Sequence, residues 1–303
     1  MNKTVLITGS TSGIGLGIAT HFAEKGYNVM FNGLEKNGAE IANDIATKYQ
    51  VKTAFSNANL LDKDEIKSLI NQTITTFGSL EVLINNAGIQ HVSPIEEFSS
   101  VKYEQIIALN MNAAFYTSKA AWKQMKTQKF GRIINIASVH GLRASEFKIA
   151  YVTAKHGVIG MTKVLALEGA PFNINANAIC PGYVKTPLVD GQIKDQAKAH
   201  QMTEEDVVHK VMLKKQAVKE FVPVSLIPIR LFFISVKKRQ LLYHFFIEHP
   251  IALVNVTSTG FPSNKASMAF STNLVFTFAG LRELLSIPPI YFTTNPAFSF
   301  CKT

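Results

Sequence analysis

From Thr4 to Cys180 the chain alternates short apolar, β-branched runs with longer stretches of helical period, and few architectures accept that rhythm. Each longer stretch brings its apolar residues back every three or four positions, so it has one face to bury. Each short run is strand-length and bounded by breaks. Strands separated by a helix's length of chain pair in parallel, because a parallel neighbour needs a crossover of that size. The expectation is an α/β chain: a doubly wound parallel sheet with helices on both faces, three layers in all. Predicted strands cover residues 4–8, 27–32, 52–56, 80–84, 131–137 and 174–180, and predicted helices 14–25, 38–49, 62–77, 102–126 and 150–169. Open sheets of this kind bind ligands beyond the carboxyl ends of their strands, where the winding reverses.

The first predicted strand runs into Thr8-Gly9-Ser10-Thr11-Ser12-Gly13-Ile14-Gly15, and a helix follows. Glycines let such a loop turn sharply and bring its backbone close to a pyrophosphate, whose charge is met by free N–H groups at the helix N-terminus. Strand, loop and helix in that order point to a Rossmann-type dinucleotide site, with Gly9, Thr11, Ser12, Gly13, Ile14 and Gly15 as contacts. Nucleotide choice is usually made at the tip of the second strand, where a carboxylate takes the ribose hydroxyls or an arginine takes a 2′-phosphate. Here the stretch reads Asn32-Gly33-Leu34-Glu35-Lys36, with no acid on the strand itself. Glu35 would disfavour a phosphate and Lys36 would attract one, so these residues alone leave the choice open.

Hydride transfer from a hydroxyl needs a group that handles the hydroxyl proton near neutral pH, and a tyrosine of ordinary pKa ~10 needs a cation beside it. Tyr151 and Lys155 lie four apart on a predicted helix and so share a face. Alone the pair says little, since eight tyrosines give such a spacing by chance about once in two such chains. Order and spacing say more. Ser138 ends the fifth strand, Asn85-Asn86-Ala87-Gly88 ends the fourth, and Asn110 lies between them in Ala108-Leu109-Asn110. Together with the glycine loop this ordered set resembles the short-chain dehydrogenase/reductase family, from Thr4 to about residue 221. The resemblance implies that Tyr151 is the acid and base, that Lys155 holds the nicotinamide ribose and lowers the tyrosine pKa, and that Ser138 polarises the reacting oxygen. It implies that Asn110 bends its helix and holds a proton-relay water, a role for which nearby Asn112 has poorer neighbours. Asn86, Ala87 and Gly88 would line the cofactor path, with Asn86 bracing the sheet. Asn59 and Leu60 would face the adenine, asparagine standing where the family usually has aspartate. Pro181, Gly182, Val184 and Thr186 match the segment that receives the nicotinamide carboxamide, and Cys180 beside them reads as packing.

A small hydroxy acid presents one carboxylate, so its site needs donors or cations about one substrate length from Tyr151 and Ser138. Gln90, His140 and Lys148 stand at the strand ends that would supply them. Each alone reads as ordinary surface. Their combination, in NNAGIQHV, ASVHGL and FKIAYVTAKHG, is similar to bacterial D-3-hydroxybutyrate dehydrogenases, with Gln192 matching a further contact. That resemblance implies NAD as cofactor, (R)-3-hydroxybutyrate and acetoacetate as substrate and product, and a homotetramer. NADP-dependent 3-oxoacyl reductases share Tyr151 and Lys155 but have no need of the Gln90, His140 and Lys148 set.

The resemblance stops near Val224, which sets the expected division: residues 1–224 a dehydrogenase domain with a polar lid at about 188–221, and 225–303 a tail of another texture. Residues 1–224 hold 19 of the 21 acids but 10 of the 21 phenylalanines. The family continues with a helix, a last strand, a TGxxxxVDGG-like turn and a terminal tryptophan; here the one tryptophan is Trp122. A shifted reading frame would give this change, and a nucleotide-binding chain without turnover is the corresponding alternative. Without a last strand the sheet edge would stay unpaired unless the tail covers it. The net charge of +10 is scattered rather than clustered, which argues against nucleic acid as partner. No apolar run reaches the ~18–20 residues of a membrane span. Two distant cysteines, Cys180 and Cys301, without a CxxC pair suggest no metal and a reducing cytoplasm.

Overall fold

The computed structural model describes residues 2–216, 218–228 and the backbone of 251–255, all within one compact unit spanning 1–260. The strands among them are β1 (Thr4–Ile7), β2 (Asn28–Asn32), β3 (Thr53–Ser56), β4 (Val82–Asn85), β5 (Gly131–Ile136), β6 (Ile174–Pro181) and β7 (Ile251–Asn255). The helices are α1 (Gly13–Glu24), α2 (Gly38–Tyr49), α3 (Lys63–Phe77), α4 (Ser100–Ile107), α5 (Ala113–Thr127), α6 (Ile149–Gly169), α7 (Pro187–His200) and α8 (Glu204–Val207). One sheet results, in the order β3-β2-β1-β4-β5-β6-β7, and its first six strands are parallel. The doubly wound fold is thus present, with each predicted strand ending within two residues of the observed one.

Strand periodicity explains why the runs are apolar throughout. Val5 and Ile7 pack to one side with Val29, Phe31, Val82 and Ile84, while Leu6 packs to the other with Met30 and Leu83. Both faces are covered by helices, so alternate residues enter two cores and neither set can be polar. All of these side chains are fully buried, each contributing about 1.5–3 kcal/mol over an exposed position. Local signals fix the helix ends: the Asp62 carboxylate accepts from the Asp64 and Glu65 N–H groups at the start of α3, and Gly78 at φ +82° ends it. From β1 the chain winds outward through β2 and β3, then returns to the opposite side of β1 as β4. The carboxyl ends of β1 and β4 therefore open a crevice.

Two elements depart from the sequence expectation. The single helix predicted over 102–126 is α4 and α5 joined by a π-turn, Ala108–Asn112. There Asn110 Oδ1 accepts from the Ile89 N–H and its Nδ2 donates to the Ile89 carbonyl, each at 2.8 Å. One extra residue per turn leaves the apolar period almost unchanged, so periodicity conceals it. The sheet is also not wholly parallel, because β7 runs antiparallel to β6, with Pro181 opposite Ile251 and Asn177 opposite Asn255. The edge of β6 is covered by that strand of the tail. Packing continues past Val224 as well: Val222 and Ile227 are buried in the core with β1 and α1. Among the described residues no helix is long and apolar enough to cross a membrane.

Candidate active site

Beyond the carboxyl ends of the parallel strands lies a crevice of about 400 Å³. Gly9, Ser12, Gly13 and Ile14 line it. Gly9 and Gly13 take φ of +61° and +52°, values glycine adopts without a Cβ penalty. A Cβ on Gly15 would collide with the Gly9 carbonyl oxygen and the Asn86 amide, so Gly15 lies beneath the loop and packs it against the sheet. Ser12 caps α1 without a side-chain bond, and the first turn holds no acid, so the leading N–H groups of α1 remain free for an anion. These residues fit the pyrophosphate of a dinucleotide. Asn86 braces the loop, donating from its side chain to the carbonyls of Thr8 and Gly9 at 3.0 and 2.9 Å. Ala87 and Gly88 line the crevice beside it.

Asn32 explains the missing acid at the tip of β2. It accepts from the Gly9 N–H at 3.4 Å and donates to the Ser56 and Ala58 carbonyls at 3.2 and 3.0 Å, tying together three loops. A carboxylate there could not donate. The acid comes three residues later: the Thr11 hydroxyl donates to the Glu35 carboxylate, which lines the crevice. Thr11 is thus a support for Glu35 rather than part of the lining, a role its sequence position does not reveal. Asn59 and Leu60 line the same β1–β3 half, and Asn59 Oδ1 accepts from the Leu61 N–H at 3.1 Å.

Ser138, Tyr151, Lys155, Pro181, Gly182, Val184 and Thr186 line the half at the tips of β4, β5 and β6. Ser138 Oγ accepts from the His140 N–H at 3.1 Å, and its hydroxyl faces the Tyr151 phenol closely enough to favour the charged form. Lys155 Nζ donates to the Ile136 carbonyl at 2.7 Å and stands 5.5 Å from the centre of the Tyr151 ring. The expected lowering of the tyrosine pKa is not a property of the chain by itself. Burial pushes the Tyr151 phenol up, and the Ser138 hydrogen bond offsets only part of that. Burial likewise brings the Lys155 ammonium down to about 8. The Cys180 thiol, pushed up to about 11 by burial, stays neutral and packs. Asn110 does not line the main crevice. It borders, with Lys155 and Ile136, a separate cavity of about 10 Å³, the room of roughly one water.

At the same end His140 lies 6.2 Å, ring centre to ring centre, from Tyr151 and 5.9 Å from Tyr183. Lys148, only 1 % exposed, donates to the Tyr183 phenol at 2.9 Å and to Gln192 Oε1 at 3.5 Å. Burial brings its ammonium down to about 7. Burial, and then the Lys148 and His156 charges, bring His140 down to about 3, so its ring is neutral at ordinary pH. Gln90 is set back from the crevice lining, yet both polar atoms of its amide are buried without a hydrogen-bond partner among the described residues. Sequence reasoning missed Tyr183, and it placed Asn32 and Glu35 at the nucleotide end without the contacts that define their roles. Position at a strand tip was the available signal for Tyr183, diluted by the many residues that share it.

A parallel sheet carrying a dinucleotide cradle on one half and a Tyr-Lys-Ser group on the other defines an oxidoreductase that works on a bound nicotinamide. Residues 3–197 match the family described as short chain dehydrogenase, and the chain belongs to that family. It is 45% identical over 230 residues to a D-beta-hydroxybutyrate dehydrogenase of Rhizobium meliloti (strain 1021), covering 74% of this chain and 88% of the relative. A D-beta-hydroxybutyrate dehydrogenase of Cupriavidus necator is 43% identical over 239 residues, covering 78% of this chain and 93% of the relative. Among solved structures an NAD+-bound xylitol dehydrogenase superposes with a TM-score of 0.74 at 27% identity, covering 78% of this chain and 92% of that one.

Proposed function

We propose that this chain interconverts (R)-3-hydroxybutyrate and acetoacetate with NAD. The observation that carries this reading is the Lys148 ammonium, buried at the crevice beside Tyr183 and His140 with no carboxylate partner among the described residues. A buried cation without a counter-charge is costly, and a substrate carboxylate supplies the missing anion. Gln90 offers an amide that lacks partners, and Gln192 a second amide on α7. The relatives named for D-beta-hydroxybutyrate supply the configuration.

A bound nicotinamide supplies the hydride acceptor. Tyr151 takes the hydroxyl proton at its phenolic oxygen. Ser138, whose Oγ accepts from the His140 N–H, turns its one proton from the Tyr151 phenol to the reacting oxygen once substrate is bound. Lys155, held on the Ile136 carbonyl, keeps a cation near the phenolate that accepts this proton and that forms again in the reverse direction. The Glu35 carboxylate in the β1–β3 half supports NAD over NADP, since a 2′-phosphate there would meet a like charge.

The test compares the purified full chain on (R)- and (S)-3-hydroxybutyrate with NAD and NADP, and on free acetoacetate and an acetoacetyl thioester in reverse. Turnover of the free (R)-acid with NAD is expected. A preference for thioester and NADPH would make the chain a 3-oxoacyl reductase instead, and NADH binding without oxidation of the acid would leave it a nucleotide-binding chain.

A further inference from the structure

After β6 the chain makes a closed excursion. It departs at Tyr183 and Lys185 and returns at Val222, where the Val222 N–H donates to the Tyr183 carbonyl at 2.8 Å and the Lys185 N–H to the Val222 carbonyl at 3.0 Å. Between these ends lie α7 and α8, and their apolar residues meet one another. Val189, Ala197, Val207 and Met212 form a small core with Tyr183 and Phe221, and among the described residues no member of the two sheet cores joins it. A body with its own core on one stem pivots there unless its far end is held. Pro187, Leu188, Val189 and Gln192 of α7 wall the crevice, so a lid that lifts takes lining residues with it.

Among the described residues two hydrogen-bond or ring contacts join α7 to the rest of the chain beyond that stem. Gln192 Oε1 accepts from Lys148 Nζ at 3.5 Å. His200, the last residue of α7, meets the Phe147 ring edge-on, with centres 4.9 Å apart and planes at 69°. The two partners are adjacent in sequence, where α6 begins. Phe147 takes φ +62°, a left-handed conformation that strains a residue with a Cβ and that glycine adopts freely. Its carbonyl accepts from the Ser93 N–H at 2.9 Å, which fixes this turn against the loop after β4. A bulky residue persists in such a conformation where its surroundings require it. The ring partner of Phe147 among the described residues is His200.

We propose that Phe147 and His200 are positioning residues: the turn at Phe147 directs Lys148 into the crevice and presents the ring on which His200 seats the free end of α7, keeping Gln192 beside the Lys148 ammonium. For its effect on the acid the inference rests on the proposed reading of Lys148 as carboxylate anchor. For the seating of α7 it stands on the ring pair and the single stem.

His200→Ala removes one ring and leaves a good helix former. Amide exchange along α7, followed by mass spectrometry on the full chain, is expected to quicken about three- to tenfold, the range that one edge-to-face ring pair spans, while exchange in the strands is unchanged. The KM for 3-hydroxybutyrate should rise about threefold, with kcat and NADH affinity within about twofold, because Gln192 leaves Lys148 more often. The double variant with Phe147→Ala should be no worse than Phe147→Ala alone, since both changes break one contact. His200→Phe, which restores an edge-to-face partner without ring nitrogens, should bring exchange and KM back to within about twofold of the original chain. Unchanged exchange along α7 in His200→Ala overturns the inference, and so do additive effects in the double variant or no rescue by His200→Phe. Faster exchange in every element together with a lower Tm overturns it too, since His200 would then stabilise the fold without seating the lid. A chain that oxidises no 3-hydroxybutyrate defeats the proposed function alone, because exchange along α7 is read without turnover.

Discussion

On the proposed function Tyr151 handles a proton and Lys148 a charge at the reacting end, and substitutions separate the two. Tyr151→Phe removes the phenolic oxygen but leaves the ring that lines the crevice, so turnover should fall by about 10²–10⁴-fold while NADH still binds within about twofold. Near-normal kcat in this variant would strip the tyrosine of its role. Lys148 makes a pH prediction whose sign follows from burial, which disfavours the charged form and brings its proton loss to about 7. Below that pH the ammonium is present and, on the proposed function, the acid is expected to bind. As the pH rises through it the charge disappears, and kcat/KM for the acid falls by up to about tenfold per unit while NADH affinity stays flat. His140, down at about 3, is neutral on both sides of this window and adds no limb of its own. Lys148→Met should show a weak, pH-independent KM for the acid; a limb that persists in the variant would assign the titration to another group.

At the scale of elements, the glycine loop and the first turn of α1 act as one unit. Gly15→Ala forces a Cβ against the Gly9 carbonyl, so the loop must lift from the Asn86 side chain that braces it. NADH affinity should drop at least about tenfold and Tm by a few degrees, read by fluorescence titration and by thermal unfolding. A variant that binds NADH normally would show that the cradle tolerates a shift. This loop was legible in the sequence because its chemistry is contiguous: strand, glycines and helix follow one another. The strands were legible for a related reason, since a sheet buried on both faces admits no polar break inside Val5-Leu6-Ile7 or Val82-Leu83-Ile84. Ser138, Tyr151, Lys155, His140 and Lys148 could be placed together from order and spacing along adjacent strand ends. The rest depends on contacts that sequence order scatters. Thr11 meets Glu35 across 24 positions, and Asn32 is shared by three loops. Asn110 spends its amide on Ile89, inside a π-turn that leaves the helical period intact.

For the whole molecule the open question is what the sheet requires of its last strand. Seven of the eight residues of β6 are buried, so an unpaired edge there would expose backbone donors and acceptors beside an apolar surface. Edge pairing is made by backbone groups, and its demands on sequence are slight: an extended run without proline is enough. Ile251-Ala252-Leu253-Val254-Asn255 meets that demand in the antiparallel sense, although the texture of the chain after Val224 is unlike what precedes it. The crevice, by contrast, is lined among the described residues by the ends of β1 to β6, the loops after them and α7. Stability and binding should therefore come apart when β7 is lost. A chain ending at Pro228 is expected to lose about 5–10 °C in Tm and to aggregate at concentrations where the full chain stays dispersed, while its soluble fraction keeps NADH affinity within about threefold. Leu253→Pro, which puts a fixed φ and a missing donor in the middle of β7 without shortening the chain, should reproduce most of the thermal loss. Equal Tm in all three proteins would mean that β6 does not depend on this partner for its edge.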